Sequence, residues 1–492
     1  MTFAAKADAR IGGGVLDKDG GLHRLGEAGK VVDVLGVHMG GMTVTVLSLA
    51  SQINGFVNIL DTDDTQNGHH ELLLHNEMLK RHLCDSATNL GTHVDANLGE
   101  DNPGVTAYAV TVDHVGDLAG LLVDLLVQHH LSQPVSLFLG EDDILIKVEG
   151  AGICGTDVHE WKMDPFGLIP VVLGHEGTGE VVYCGKNIVK DTAGNPIGVG
   201  DKIVTSVISC GDCYNCRMTP GRTNLCANQG VFGLIGDKRG TDEGNRANGW
   251  FADYMLIRGG EASGATFFQV NELNLNQRMI LELACVCVHA LERGQKTGLL
   301  NFGSKVLVQG CGPVGLVMIT VLRAAGINHI IAVDGNEDRL KVAQKMGAKT
   351  TVCFKRPDED TLDKRVAKVQ AVANGVGVDF AFQCTGAPVA AADIYAYIRR
   401  GGGMCEMGFF VNNGEYSVNP HFAMCNKEID IVGSWDYSAE DYPKTVAFLK
   451  QCQEMNIPIE ELITHTFPLD QMNEAMETNV AQKGIKIAYI AK

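Results

Sequence analysis

The sequence predicts an α/β protein built around a parallel, doubly wound sheet. Three observations carry that expectation. From Lys305 onward, short apolar runs of β-type residues alternate with helical stretches that have one apolar face, the rhythm of parallel strands joined by crossover helices. One of these units holds Gly310-x-Gly312-x-x-Gly315 between a strand and a helix. Glycine is also abundant, at 59 of 492 residues, which suits many tight loops.

The elements follow in order. Val306–Gln309 reads as a strand, Gly310 to Gly315 as the turn and Leu316–Ala325 as a helix. Ile330–Val333 is the next strand, ended by Asp334. "VDFAFQCTGAP" is a buried strand ending at Cys384-Thr385-Gly386; "GGGMCEMGFF" is a glycine turn and a strand; "DIVGSWDYS" is another strand. Glycines at this spacing let a pyrophosphate approach the backbone at a helix N-terminus, here opened by Pro313 and Val314. An acid about twenty residues on accepts hydrogen bonds from a ribose 2′-hydroxyl and repels a 2′-phosphate, so Asp334 favours NAD over NADP. Its plainer reading is a helix cap. Arg339 either lies along the adenosine ribose or is a surface arginine.

The length exceeds what one core can organise and predicts two to four domains. The formal charge, 40 − 59 = −19, argues against a non-specific nucleic-acid or anionic-membrane binder. The strongest apolar windows, such as Ile280–Val288, are too short to span a bilayer, and the first residues lack the apolar core of a signal peptide. Fifteen cysteines without an export signal point to a reducing, cytoplasmic setting.

Four of those cysteines crowd "SCGDCYNCRMTPGRTNLC", as Cys210, Cys213, Cys216 and Cys226. Disulfides would close very small, strained loops. A redox pair needs only two thiols, and free structural thiols prefer apolar surroundings. Four thiolates around one zinc fit best, and such a closed site is structural. Upstream, "GICGTDVHEWK" and "LGHEGTGEV" supply Cys154, Thr156, Asp157, His159, His175 and Glu176, and "LELACVCVHALERG" places Glu282 at the start of an apolar helix. Cysteine, histidine and carboxylate from separate segments can form an open zinc site with a position left for substrate. Asp157 is either a turn residue or the acceptor that orients the His175 ring. Cys285, Cys287 and His289 read as helix packing.

From about residue 140 to 492 the chain resembles the zinc-containing medium-chain alcohol and polyol dehydrogenases. The likeness runs through "GICGTDVH", "LGHEGTGEV", "GDKIV", the cysteine loop, "GWFADYM", "GCGPVG" and "GIKIAYI". The resemblance implies a chaperonin-10-like β-barrel catalytic domain, a Rossmann domain inserted in it, a short C-terminal return and a dimer or tetramer joined through the Rossmann sheets. The domains then fall at 106–284, 285–434 and 435–492, with residues 1–105 an N-terminal α+β extension of unassigned role. Carried over by position, Cys154, His175 and Glu176 match the catalytic zinc ligands of the sorbitol, threonine and butanediol dehydrogenase branch. Glu282 stands where classical alcohol dehydrogenases ligate through cysteine, and sits at or near the metal in the polyol branch. Thr156 matches the hydroxyl that contacts the reacting oxygen, His159 the outer member of a proton relay, and Thr385 lies among the coenzyme contacts. Two zinc ions, one catalytic and one structural, and NAD are the implied cofactors. The implied reaction is hydride transfer between NAD and a secondary alcohol or polyol. The alternatives are a hydroxy acid, an amino alcohol or another anionic alcohol, or an inactive binding or regulatory protein on this scaffold.

Two departures stand out. The third and fourth thiols are about two residues further apart than is usual for the family. A segment between Gly233 and Trp250, "GLIGDKRGTDEGNRANGW", is longer than the usual link; its Lys238, Arg239 and Arg246 either meet an anionic group or face solvent. In the N-terminal region, "MTVTVLSLASQINGFVNIL" suggests two strands, "ELLLHNEMLKRHL" a helix, and "AYAVTVDHVGDL" a likeness to the family's first strands. A further helix is expected over 119–139. The pairs His69-His70 and His129-His130 read as surface histidines.

Overall fold

The computed structural model describes residues 139–165, 167–168, 171–234 and 249–492, and before them the backbone of six short strands. The chain forms two compact units, Met1–Leu139 and Gly140–Lys492. In the first, β1 (Gly36–Met39) and β2 (Met42–Thr45) pair antiparallel. Strands β3 (Val57–Leu60), β4 (His70–Leu74), β5 (Val94–Asp95) and β6 (Tyr108–Val112) form a sheet ordered β3-β4-β6-β5. The alternating stretch 42–60 thus holds two strands, as its pattern predicts. The helix expected from Glu71 does not begin there, because Glu71–Leu74 lie in β4 between β3 and β6. A short apolar run such as Leu72-Leu73-Leu74 has no period that separates strand from helix, and pairing decides the matter. Tyr108–Val112 pairs with β4 and β5 of this unit. The remainder of that expected helix, most of 119–139, the side chains of His69, His70, His129 and His130, and Lys238, Arg239 and Arg246 lie outside the described residues.

The second unit contributes β7 (Ile144–Ile153), β8 (Glu176–Cys184), β9 (Lys202–Thr205), β10 (Tyr254–Ile257), β11 (Phe267–Gln269), β12 (Lys305–Gln309), β13 (His329–Asp334), β14 (Thr350–Cys353), β15 (Val378–Gln383), β16 (Ile398–Glu406), β17 (Asp430–Gly433), β18 (Ile463–Phe467) and β19 (Lys486–Ile490). Its first sheet has the order β11-β9-β8-β7-β19-β18, with β10 also on β7. Along β7, Ile144, Ile146 and Val148 are buried while Lys147 is exposed, the period of a half-buried strand. These side chains share a core with Val181, Ile203, Trp250 and Phe267. Trp250 is fully buried, and its indole Nε1 donates to Thr205 Oγ1 at 3.1 Å.

The second sheet is parallel throughout, ordered β14-β13-β12-β15-β16-β17. The order reverses between β12 and β15, and ligands bind at such a switch point outside the carboxyl ends of the strands. Val306, Leu307 and Val308 are fully buried, as expected for a strand covered on both faces. Gly401, Gly402 and Gly403 of "GGGMCEMGFF" lie inside β16, where the pairing with β15 shifts register: Val378 faces Ile398 but Phe380 faces Gly403. Gly401 takes φ 62° there, a left-handed conformation that glycine permits, so the expected glycine turn is a bulge within the strand.

The helix Leu275–Gln295 links the two sheets. Asn274 caps it in a reciprocal box with Gln277, which satisfies two otherwise unpaired donors. Its buried face places Cys285 and Cys287 in the core with Val308 and Phe382. His289 is also buried, with Nδ1 at 2.8 Å from Asp441 Oδ2. The chain then returns: β19 pairs antiparallel with β7, so the parallel sheet is inserted within the chain that builds the first. Among the described residues, no helix is long and apolar enough to cross a membrane.

Candidate functional site

Cys154 follows β7 directly and caps the helix Gly155–Met163. The third helical residue is Asp157, whose Oδ2 accepts the Cys154 backbone N–H at 2.8 Å. Its Oδ1 accepts the Gly174 N–H at 3.2 Å and lies 3.1 Å from His175 Nδ1. One fully buried carboxylate therefore ties a helix cap, the loop before His175 and the imidazole ring together. With Nδ1 donating to Asp157, Nε2 is left as the free ligand atom. Burial alone would push the His175 imidazole down; the Asp157 carboxylate outweighs it and holds the ring well above its ordinary range. The loop is pinned from the other side by Trp250 N–H on Gly174 O and Phe251 N–H on Leu173 O, each at 2.9 Å. Asp157 is thus the acceptor on His175 rather than a simple turn residue.

Glu176 opens β8. Its carboxylate, the Cys154 thiol and a His175 ring nitrogen lie within 4.8 Å of one another. Both Glu176 oxygens are buried, and Oε1 has no hydrogen-bond partner. Oε2 makes an ion pair with Lys486 Nζ, itself buried. A buried carboxylate oxygen with no donor, Oε1, is costly on its own, and carboxylate, thiolate and imidazole together are donors of the kind an open zinc site uses. The three residues fit a divalent cation. Replacing Asp157 by Asn is expected to weaken zinc retention by these ligands by about 10–100-fold. Chelator competition reads that loss, and a metal held by the four-cysteine group is expected to stay in place.

Glu282 lies in the third turn of its helix rather than at the start, because the apolar helix begins at Leu275. It is not part of the three-residue group, yet it faces the same charges. Burial pushes its carboxyl up to about 8, His175 opposes this, and Glu176 and Asp436 add to it. Asp436 follows β17 in a left-handed conformation, with φ 53°. Burial raises its carboxyl to about 6, against a 2.6 Å hydrogen bond from Gln229 Nε2. Thr156 is buried, with its hydroxyl 3.7 Å from Cys154 Sγ. His159 is half-buried on the same helix, three residues on.

The four loop thiols also lie within 4.8 Å of one another. Cys226 and Cys210 sulfurs are 3.4 Å apart, and the pairs Cys210–Cys216 and Cys213–Cys226 are each 4.0 Å apart. Four sulfurs at about 2.3 Å from a tetrahedral zinc stand about 3.8 Å from each other, whereas a disulfide requires about 2.05 Å. Backbone N–H groups of Cys216 and Ala227 bring the Cys213 thiol down to about 6, while burial pushes the neighbouring Cys216 up to about 12 and raises Cys210. The loop reaches across the unit: Asn224 Nδ2 donates to Trp435 O at 2.7 Å and Ser438 Oγ donates to Asn224 Oδ1 at 3.2 Å.

At the switch point, Gly312 caps the helix Pro313–Ala324, with Pro313 in the first turn where its missing N–H costs nothing. A Cβ at Gly315 would run into the Gly310 carbonyl, so the turn closes only with glycine there. Val314 lies in the same first turn, its carbonyl accepting from Cys287 Sγ. Thr385 follows β15 beside Gly310. Asp334 Oδ2 accepts Cys311 N–H at 2.7 Å and Oδ1 accepts Asn336 N–H at 2.8 Å, so this carboxylate shapes the glycine turn itself. The helix cap is Asn336, and Arg339 lies in the first turn behind it, partly exposed.

Sequence reasoning passed over Lys486, Asp436 and Gln229. For Lys486 the signal was present: a lysine among "KIAYI", the apolar residues of β19. Asp436 and Gln229 carried none, because their meeting joins positions 207 residues apart.

Comparison with known proteins agrees with this geometry. Residues 140–263 match the alcohol dehydrogenase GroES-like domain, and residues 313–451 match the zinc-binding dehydrogenase domain. The chain is 30% identical over 344 residues to a sorbitol dehydrogenase of Bacillus subtilis, spanning 69% of this chain and 87% of that protein. It is 30% identical over 348 residues to an L-threonine 3-dehydrogenase of Shewanella halifaxensis, spanning 69% and 89%. Among solved structures, an alcohol dehydrogenase of Thermotoga maritima superimposes with a TM-score of 0.64 at 27% identity, covering 71% of this chain and 92% of that one. Two matching domains in the expected order, over most of the length of such relatives, mean that the chain belongs to the zinc-dependent medium-chain alcohol dehydrogenases, enzymes of NAD-linked alcohol oxidoreduction.

Proposed function

We propose that the enzyme oxidises a secondary alcohol or polyol with NAD, and reduces the corresponding carbonyl. The observation that carries this reading is the convergence of Cys154, His175 and Glu176 within 4.8 Å. Cys154, His175 and Glu176 would hold the catalytic zinc, and Cys210, Cys213, Cys216 and Cys226 a structural one. Bound zinc supplies a Lewis acid that acidifies the substrate hydroxyl, and bound NAD accepts the hydride. Thr156 receives the proton of the reacting hydroxyl. His159, on the same face of the helix at i+3, passes it to solvent. Asp157 keeps the His175 ring in one tautomer throughout. Glu282, whose carboxyl is pushed up to about 8 and so carries a proton near neutrality, and Asp436 lie beside His175; such acidic groups favour a hydroxyl-rich substrate over a carboxylate, which supports a polyol against a hydroxy acid.

Gly310, Gly312, Pro313, Val314 and Gly315 would cradle the pyrophosphate, with Thr385 beside them and Arg339 along the adenosine ribose. Asp334 would accept the ribose hydroxyls. Replacing Asp334 by Ser should raise KM for NAD about tenfold or more, the worth of one charged hydrogen bond. The NAD-to-NADP preference should fall with it. Distortion of the glycine turn alone would weaken both coenzymes equally, so the ratio of the two KM values is the measurement. Because Tyr108–Val112 pairs within the first unit, we move the 105/106 boundary and assign the extension to residues 1–139, the zinc domain to 140–284, the coenzyme domain to 285–434 and the return to 435–492. The edge strand β17 exposes Ile431, and Phe410 stacks on Trp435 with both partly exposed. These features suit a homodimer or homotetramer joined edge to edge. A cytoplasmic location suits the many free thiols. Scanning diols, polyols, amino alcohols and hydroxy acids with NAD, by absorbance of the reduced coenzyme, tests the assignment. Inactivity with all polyols and secondary alcohols would overturn it.

A further inference from the structure

Lys486 has no role in the reaction as described, yet it is buried at the metal ligands. Its side chain is 3% exposed, and that of its partner Glu176 is not exposed at all. The pair meets over the central strand. Gly152 of β7 stands opposite Glu176 of β8 on one side; on the other side β19, which Lys486 opens, pairs with β7 from Ile153 to Gly150. A Cβ at Gly152 would strike Glu176 Oε2 and come within 2.7 Å of Lys486 Cε. Glycine is required there for the ammonium to reach the carboxylate. Cys154 and Glu282 also act on Lys486, so this cation faces three acidic side chains of the site. Glu176 Oε1 is buried and lacks a hydrogen-bond partner, which leaves an oxygen aimed at no protein donor.

We propose that Lys486 is a positioning residue of the metal site, an internal cation that holds Glu176 and competes with zinc for the same carboxylate. The inference rests on Cys154, His175 and Glu176 being the metal ligands. A buried carboxylate needs a counter-charge, and a buried ammonium needs an acid. Without zinc, Lys486 satisfies Glu176. With zinc bound, two positive groups share it, and their repulsion weakens the metal's hold. The lysine thereby keeps the site folded when empty and restrains the carboxylate when full.

The test is equilibrium competition for zinc between the full-length, zinc-loaded enzyme and a chromogenic chelator. The zinc missing from Cys154→Ser identifies the three-ligand site. Lys486→Met and Lys486→Gln remove the charge, and the glutamine amide still offers a donor to Glu176 should methionine fail to fold. Both are expected to bind that zinc more tightly than the parent, on the order of tenfold. The visible spectrum of the cobalt-substituted Lys486→Gln enzyme should shift as Glu176 is released toward the metal. A purely architectural lysine predicts the reverse: the variants would lose this zinc more easily, and that result overturns the proposal, as does unchanged affinity with an unchanged cobalt spectrum. If Cys154→Ser keeps both zinc ions, the metal-ligand reading itself fails, and the two failures are thus distinct.

Discussion

Replacing Cys154 or His175 by alanine is expected to lower kcat/KM for alcohol oxidation by at least about 10³-fold, or about 4 kcal/mol of transition-state stabilisation, while NAD binding stays nearly unchanged. Each change removes one of three donor atoms that lie within 4.8 Å. An open site with two ligands left cannot hold zinc firmly, and no other group in the cleft can acidify an alcohol hydroxyl to the same degree. The coenzyme turn is built separately, from Gly310 to Gly315 at the end of β12, and is closed by backbone contacts and Asp334. Its integrity does not depend on the thiol or the imidazole. Steady-state kinetics with NAD titration by fluorescence separates the two effects. Retained turnover in a variant shown to lack the metal would overturn the assignment of the ligands.

The contrast between these two sites explains which features could be read from the chain. The coenzyme turn is local: strand, glycines, helix and acid follow within about thirty residues, so spacing alone carries the chemistry. The cysteine loop is local too, and four thiols in eighteen residues leave few alternatives. Cys154 and His175-Glu176 each end or open a strand, and Asp157 sits close to the first, so their convergence follows once β7 and β8 pair. The features that escaped are those assembled by distant segments. Lys486 meets Glu176 only because β19 returns to β7 after the inserted sheet. Asp436 meets Gln229 across more than two hundred residues. The misreading at Glu71–Leu74 has a different cause, since three consecutive leucines suit a strand and a helix alike and long-range pairing chooses between them. The helix containing Glu282 begins earlier than its apolar stripe, because the Asn274 cap and its partner Gln277 start it at Leu275, ahead of the apolar run from Met279.

The second large effect is expected on stability. Cys226→Ser should release one zinc per chain and lower the unfolding midpoint by roughly 10 °C, for a loss of several kcal/mol. Cys226 is buried, and its sulfur accepts the Cys210 N–H at 3.3 Å, so the serine variant loses both a metal ligand and an internal contact of the loop. The consequence should also reach substrate. Thr223, Asn224 and Gln229 hold Ala439, Trp435, Ser438 and Asp436 through hydrogen bonds of 2.6 to 3.2 Å. A loop freed from its zinc no longer fixes Asp436 beside His175 and Glu282. KM for a polyol should therefore rise more than KM for NAD, because the glycine turn makes none of these contacts. Calorimetry with zinc analysis checks the first expectation, and paired KM values check the second. A variant that has lost the zinc yet melts like the parent would show that hydrogen bonds alone hold the loop. Equal rises in both KM values would mean that the loop acts on the whole unit rather than on the wall of the cleft.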